Sequence, residues 1–499
     1  MKKRIILLLM ILCLLLTGCE LTDTLTEDLL TSEPAQEKIT TLSSLSLVYY
    51  PGTGVHPLMD TALANQKVNT AVYLPPVSFD ERLEPTYGCA TEVVQSGSSI
   101  SITPDTTCKF SDGSALTAEI IAQSFRFALE HTDSPYHRRL ENVQSIDVSG
   151  GKVVLTLQNS DPGTLYCMDI PVVKTGGTDQ SPEYYGCGAY KFGTYNDVPV
   201  LVANTQAAEA PATAPVYLLT PDSAEALGAM FNSGVLSALP ADLIAEGTFS
   251  ASREYKTASH LTNTMIFVGV NNEKVSAAAR RALSALIPRE DIVQNVLMGL
   301  GQSAELPFYP GWAQLPAAGA QASKDRLIEL FTGAGLHAQN GELLTAQGEQ
   351  PHYDLLVCKD NKAHVAVAAK LRTAALALGL AITVEEVDQS TFDYRLQYGN
   401  YELYIARYTL NQNLSCSELF IGEESPNFCG TPSAALANAY QEYLSGGKIA
   451  DYIATLQQEC PILPVAFLKN ALYYTNGVSP TGGISQSRPL GNLAQWTIQ

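Results

Sequence analysis

Apolar positions along the chain follow two successive patterns. From residue 45 to residue 270 they occur mainly in short alternating or continuous runs, which predict β-strands. From residue 276 onward, apolar residues at helical spacing alternate with such runs, which predicts helices between strands. The predicted strands are 45–50, 92–94, 99–103, 153–157, 188–192, 216–219, 265–270, 352–358, 381–387 and 403–407, and the predicted helices are 276–286, 289–298, 324–334 and 363–378. This order predicts an α/β fold in which mixed sheets are flanked by helices.

One strand–turn–helix unit is especially well defined by its residues. Asp112-Gly113 suits a turn, because glycine accepts positive φ and aspartate can bond its own backbone. Thr117 then suits the N-cap of a helix, whose apolar face carries Ile121 and Phe125. The unit by itself is common and indicates no particular function.

The N-terminus has the layout of an export signal. A basic segment at 2–4 is followed by an apolar stretch over 5–16 and then by Gly18-Cys19. About a dozen apolar residues are too few for a bilayer span, which needs about 20. The small residue before the cysteine looks like a bacterial lipobox, which implies removal of residues 1–18, a lipid on Cys19 and a place on the extracytoplasmic face of the cell membrane. Residues 19–44 are polar, and we expect a flexible tether there.

Composition agrees with an exported globular protein. The chain has 499 residues, of which 46% are hydrophobic, so it can bury a large core and is long enough for two lobes or more. Its formal net charge of −20 argues against nucleic acid or anionic lipid as a partner.

Eight cysteines remain besides Cys13 in the signal and Cys19. An even number in an exported chain allows a complete disulfide set, for which 105 pairings exist. There is no Cys-x-x-Cys pair that would indicate a metal site. Closeness along the chain suggests three pairs, and the remaining two cysteines form the fourth: Cys89–Cys108, Cys167–Cys187, Cys416–Cys429 and Cys358–Cys460.

Four motifs, in order, carry a resemblance to a known family. Residues 108–128, with their F-x-D-G and L-T-A segments, resemble the signature of the extracellular solute-binding proteins of family 5, which include the oligopeptide-, dipeptide- and nickel-binding components of ABC importers. Residues 185–190, 277–293 and 459–464 resemble the family's G-T-G-P-Y turn, its V-R-x-A helix and its P-x-I-P strand entry. Ile120 departs from the family pattern, which usually has Asp there.

The resemblance implies a two-lobe clamp of the periplasmic-binding-protein type. The implied first lobe is 45–262 plus 470–499, with an extra smaller subdomain at 78–182, and the implied second lobe is 263–469. A chain that enters the second lobe and returns crosses the hinge twice, near 261–264 and 469–473. A solute would be enclosed between the lobes.

The resemblance also implies where the solute is held. Two segments would flank it, and the implied ligand-binding residues are Tyr49, Tyr50, Gly52, Tyr185, Arg407, Tyr408, Thr409, Asn411 and Asn413. The family's peptide binders usually carry a Trp followed by acidic residues, one of which pairs with the ligand's α-ammonium. Here Tyr408 takes the place of the Trp, and Asn411 and Asn413 are neutral. Arg407 either suits a ligand carboxylate or points to solvent.

The sequence contains no recognised catalytic motif, and its seven histidines have no ligand spacing. We therefore expect a binding protein with no cofactor and no metal, rather than an enzyme. The resemblance implies a monomeric lipoprotein that captures a peptide or peptide-like solute and delivers it to ABC permease subunits in the membrane. The alternative is a diverged relative that senses a ligand or interacts with the cell envelope without transport.

Overall fold

A computed structural model describes residues 44–498, apart from 53–54, 244–251, 313–314, 317–318, 423–426 and 432. The expected signal, the lipid-bearing Cys19 and all but the last residue of the expected tether lie outside the described residues. No helix in the described part of the chain is long and apolar enough to cross a bilayer.

The described strands occur along the whole chain and vary from 2 to 16 residues in length. They are β1 (Leu45–Val48), β2 (Val77–Phe79), β3 (Pro85–Tyr87), β4 (Ala90–Ser96), β5 (Ser99–Pro104), β6 (Val143–Ser149), β7 (Lys152–Leu157), β8 (Lys174–Thr178), β9 (Ser181–Tyr185), β10 (Tyr190–Tyr195), β11 (Val198–Ala203), β12 (Val216–Leu219), β13 (Ala238–Pro240), β14 (Tyr255–Val270), β15 (Gly301–Ser303), β16 (His337–Gln339), β17 (Glu342–Leu344), β18 (His352–Cys358), β19 (Ala381–Val387), β20 (Leu403–Thr409), β21 (Ile462–Thr475), β22 (Val478–Ser479) and β23 (Thr497–Ile498).

The described helices are concentrated in the second half of the chain. They are α1 (Leu63–Asn69), α2 (Ala118–Glu130), α3 (Ala224–Asn232), α4 (Ala277–Leu286), α5 (Arg289–Asn295), α6 (Lys324–Gly333), α7 (Lys362–Leu376), α8 (Gln389–Gln397), α9 (Ala434–Leu444) and α10 (Ile449–Glu459). Short 3-10 turns lie at Pro57–Met59, His137–Leu140, Pro162–Cys167, Ala241–Leu243, Ser417–Leu419 and Leu493–Gln495.

Two four-stranded sheets and one shared core organise the first part of the chain. One sheet has the order β1-β12-β11-β10, and the other has the order β4-β5-β7-β6 and is covered by α2. Their apolar faces meet in a core that includes Leu45, Ile100, Phe125 and Tyr190. Trp496, near the C-terminus, is fully buried in the same core, so the end of the chain returns to the first part.

A larger sheet with the order β13-β21-β14-β20-β18-β19 organises the second part, and β15 pairs with β21. Successive residues of β14 face opposite sides of this sheet. Ile266 and Val268 pack into a core with α4 to α7, whereas Met265 and Phe267 pack into another core with α8 to α10. At its other end β21 pairs with β13, and β14 stays paired with β21 over the same stretch, so these two long strands run between the two parts of the chain.

Most predicted elements are confirmed, with shifted ends. The Thr117 side chain caps α2 by accepting a hydrogen bond from the Ile120 amide, as the sequence predicted. The helix expected over 289–298 ends at Asn295, and Met298 and Gly299 have positive φ values of 53° and 78°. The helices α8, α9 and α10 and the full lengths of β14 and β21 were not predicted.

The cysteine pairing expected from the sequence is not found. All eight cysteines are free thiols in the structure. Burial raises the pKa of Cys89, and the Cys187 and Cys108 thiols raise it further, so these three lie together. Burial also raises the pKa of Cys167, but the charged groups that act on this pKa are Arg139 and nearby carboxylates. Cys167 therefore has other neighbours than Cys187. The unbonded pairs are Cys89–Cys108, Cys167–Cys187, Cys416–Cys429 and Cys358–Cys460.

Candidate functional site

A polar cavity of about 640 Å³ lies between two segments that are remote in sequence. This volume falls within the range of small-molecule sites. One wall comes from residues 138–167 and the other from residues 409–418. The lining residues are Arg138, Arg139, Glu141, Asn142, Asp161, Thr164 and Cys167 on the first wall and Thr409, Leu410, Asn411, Gln412, Asn413 and Glu418 on the second.

The first wall is built from two 3-10 turns. Asp161 caps the turn at Pro162–Cys167, and its side chain accepts a hydrogen bond of 2.9 Å from the Gly163 amide. Arg139 forms an ion pair with Asp169, and its guanidinium carbon lies 5.4 Å from the centre of the Tyr136 ring. These contacts fix Arg139, while the neighbouring Arg138 is exposed and makes no ion pair with any described residue.

The second wall begins where β20 leaves the large sheet. The chain turns back immediately, and the Asn411 amide donates to the Ser415 carbonyl at 2.8 Å. The 3-10 turn at Ser417–Leu419 then returns Glu418 to the end of the strand, where the Tyr408 hydroxyl donates to its carboxylate. Burial, and next this hydrogen bond, raise the pKa of Tyr408.

The two walls touch at one point. The Asn413 side-chain amide donates to the Asp161 carboxylate at 2.7 Å. Gly163 lies beside this bond, and a Cβ atom there would stand 2.1 Å from the Asn413 carbonyl oxygen. No larger residue fits at position 163 while the walls keep this contact.

The cavity carries charges of both signs. It contains the carboxylates of Glu141, Asp161 and Glu418 and the guanidiniums of Arg138 and Arg139. Asp161 and Glu418 accept hydrogen bonds from neutral donors, and among the described residues neither forms an ion pair. The cavity can therefore offer anionic acceptors to a cationic group and a guanidinium to an anionic group of the same ligand.

Three of the residues expected from the sequence, Thr409, Asn411 and Asn413, line the cavity. Tyr408 supports it from behind through its bond to Glu418. Arg407 does not line the cavity, and it lies on the face of β20 opposite Tyr408, because consecutive strand residues face opposite ways. It is exposed, and its charge, after burial, helps to lower the pKa of His364 in α7 to about 4.

The other four expected residues do not line this cavity. Tyr49 packs on Phe192 with ring centres 5.1 Å apart, and burial and then Asp60 raise its pKa to about 12. The Tyr50 amide donates to Asn65 at 2.7 Å, and Gly52 is exposed in the same loop. Tyr185 lies on the β8–β9 hairpin and donates its hydroxyl to Glu183.

The sequence reasoning missed the charged residues of the cavity, Glu418, Asp161 and Arg138. Glu418 follows Tyr408 by ten residues, beyond the stretch in which the family motif places its acidic residues. An aromatic cluster behind the two walls was also missed, in which Trp312 and Tyr443 line a small void beside Asp161 and Asn413. A second cavity of about 690 Å³ adjoins that cluster, between residues 81–82 and 302–312.

Comparison with known proteins identifies related molecules. The family model of bacterial extracellular solute-binding proteins, family 5 Middle, matches residues 92–415. No curated protein sequence matches the chain significantly.

Several solved structures share the fold. The unliganded open form of MppA, a periplasmic murein tripeptide binding protein, has a TM-score of 0.73 at 17% identity, over 91% of this chain and 98% of its own. A nickel ABC transporter protein from Bacillus halodurans has a TM-score of 0.73 at 15% identity, over 91% of this chain and 100% of its own. The oligopeptide-binding protein AppA from Bacillus subtilis, in complex with a nonapeptide, has a TM-score of 0.52 at 17% identity, over 92% of this chain and 98% of its own. The expected two-lobe α/β fold is thereby confirmed.

Proposed function

Because the chain belongs to the bacterial extracellular solute-binding proteins of family 5, which serve ABC importers, we propose that it captures a peptide or peptide-like solute between its lobes and delivers it to a membrane permease. Members of this family bind solutes and are not enzymes. The observation that carries the proposal is the cavity between residues 138–167 and 409–418, which is lined by both carboxylates and guanidiniums.

A zwitterionic solute fits the charges of this cavity. The α-ammonium of a peptide would lie against Glu418, whose carboxylate replaces the acidic residue that positions 411 and 413 lack. The opposite end of the solute, or an acidic side chain, would meet Arg138, whose guanidinium can bind a carboxylate through two parallel hydrogen bonds. Asn411 and Asn413 would supply amide groups to the peptide backbone between them.

Closure of the lobes would complete the site. We place the lobe boundaries at 262 and 470, where β14 and β21 pass between the two parts of the chain. The pairing of β14 with β21 shifts register between Leu261 and Met265, and this irregularity supports a hinge there. The Asn413–Asp161 contact would then join groups on the two sides of the hinge.

We also propose that the mature protein is a monomer tethered by lipid on Cys19. The support is the sequence of the N-terminus, in which a small residue precedes that cysteine at the end of an apolar stretch. A tether of about 25 residues would hold the binding lobes near the permease without embedding them in the bilayer.

One experiment tests both the anchor and the bound solute. Cys19→Ala should appear in the culture medium, whereas the wild-type chain should remain with the membrane. Denaturing the natively purified variant should release zwitterionic solutes, identified by mass spectrometry as short peptides. Retention of the variant in the membrane would contradict the lipid anchor. A uniform non-zwitterionic compound would contradict the proposed ligand class, and a failure to bind any member of a peptide library would favour the non-transport alternative.

A further inference from the structure

Three potential metal ligands meet on the large sheet, far from the cavity. They are His352 and Asp354 on β18 and Glu402, which directly precedes β20. One ligand atom from each side chain lies within 4.8 Å of the other two. In sequence, Glu402 lies about fifty residues from the other two, so no local motif reveals the cluster.

The strand register explains why the three side chains converge. His352 and Asp354 are two residues apart on one strand and therefore point to the same face. The parallel pairing of β18 with β20 matches Leu355 with Leu403, and this places Glu402 beside Asp354. Leu355 and Leu403 are fully buried under the cluster, so the backbone that carries the ligands is anchored in the core.

Hydrogen bonds hold two of the side chains in place. The Asp354 amide donates to Glu402 Oε2 at 2.9 Å, which fixes that carboxylate while leaving its other oxygen available. His352 Nε2 lies 2.8 Å from Thr383 Oγ1 on the neighbouring strand β19 and 3.5 Å from Asp354 Oδ1. A metal-binding group held on a rigid sheet needs little rearrangement when the ion enters.

No lysine or arginine of the described residues forms an ion pair with the cluster. Among the described residues, His352 is the sole ion-pair partner of Asp354, and Glu402 has no ion-pair partner. Two neighbouring carboxylates without a lysine or arginine repel each other, and a divalent cation would remove that repulsion. The His352 and Asp354 side chains are 46% and 44% exposed, so an ion can reach them from solvent.

We infer that His352, Asp354 and Glu402 form a binding site for a borderline divalent cation such as Zn²⁺. One imidazole nitrogen and two carboxylate oxygens suit such an ion, whereas Mg²⁺ and Ca²⁺ favour oxygen ligands alone. Water and the Thr383 hydroxyl can complete the coordination. The seven residues of β20 separate the cluster from Thr409 by about 20 Å, so the cation stabilises the second part of the chain and does not contact the transported solute.

The test uses the purified full chain, stripped with a chelator and titrated with Co²⁺ and then Zn²⁺. One equivalent of Co²⁺ should bind, and the coordinated ion should give visible absorption. Zn²⁺ should displace Co²⁺ and remove this absorption. Saturating Zn²⁺ should raise the melting temperature by about 2–5 °C. His352→Ala and Glu402→Gln should each weaken binding at least about 10-fold. His337→Ala, which removes an exposed histidine outside the cluster, should bind as the wild-type chain does.

Each alternative outcome is distinct. Equal affinity in His352→Ala and His337→Ala would overturn the site. A loss in His352→Ala with no loss in Glu402→Gln would indicate a lone surface histidine and would also overturn it. Tight Ca²⁺ binding that survives His352→Ala would contradict the borderline cation. Melting temperatures of the metal-free variants, compared with the metal-free wild type, report whether a variant has lost its fold instead.

Discussion

The two ends of strand β20 carry two different kinds of site. At its beginning, Glu402 joins His352 and Asp354 on adjacent strands of one sheet, over a fully buried core. At its end, the chain opens into a cavity whose two walls are joined by Asn413 and Asp161, which are 252 residues apart. The first site is fixed by one sheet, whereas the second depends on how two parts of the chain meet. A solute that must be captured and released needs the second kind, because such a site can be opened without unfolding either wall.

The contact between the walls predicts a loss of solute affinity on substitution of Gly163. Gly163→Ala places a Cβ atom 2.1 Å from the Asn413 carbonyl oxygen, so the walls must separate. We expect solute affinity to fall about 10-fold, since overpacking of this kind costs about 1–3 kcal/mol. Isothermal titration with the co-purified solute measures the change, while Co²⁺ binding at the other end of β20 should remain as in the wild type.

The matched control is Gly333→Ala at the end of α6. A Cβ atom there meets no other atom within 4 Å, so affinity should not change. An unaltered solute affinity in Gly163→Ala, with the control also unaltered, would show that the contact between the walls does not shape the binding site.

The smaller prediction concerns Arg407, which the sequence assigned either to a ligand carboxylate or to solvent, and which is exposed in the structure near His364 of α7. We expect Arg407→Ala to change solute affinity less than about 2-fold. Removal of the charge should raise the pKa of His364, which burial and then Arg407 lower to about 4. NMR titration of His364 measures this pKa, and calorimetric titration measures the affinity.

The same substitution changes the dependence of stability on pH. A histidine with a lowered folded-state pKa leaves stability unaffected above about pH 6.5 and reduces it as the pH falls toward 4, because the unfolded chain takes up the proton first. Arg407→Ala should therefore lose less stability than the wild type between pH 6.5 and pH 4. A loss of solute affinity above about 5-fold would instead assign Arg407 to the ligand.

Local physics made much of the fold predictable. The Thr117 cap, the β4–β5 hairpin and the strand–helix alternation after residue 276 follow from side-chain preferences of neighbouring residues. The long strands β14 and β21 were harder to predict, because their apolar residues are buried on both faces and show no alternation.

The cavity was less predictable, because it is made by distant segments. A motif comparison that ended at residue 415 could not reveal that Glu418 folds back onto Tyr408. The expectation that both Arg407 and Tyr408 face the solute conflicts with the period of a strand, which sends neighbours to opposite faces. The structure contains none of the expected disulfides, and closeness in sequence did not predict the grouping of Cys187 with Cys89 and Cys108.

The most direct test of the central claim compares a released peptide with its N-acetylated form on two proteins. If Glu418 holds the α-ammonium, acetylation should weaken binding to the wild-type chain by about 100-fold, since a buried charge loses its partner. In Glu418→Gln the affinities of the free and acetylated peptides should lie within about 2-fold of each other. The control variant Glu386→Gln removes an exposed carboxylate on β19 and should behave as the wild type. Equal sensitivity to acetylation in the wild-type and Glu418→Gln chains would contradict the claim that this cavity recognises the amino end of the solute.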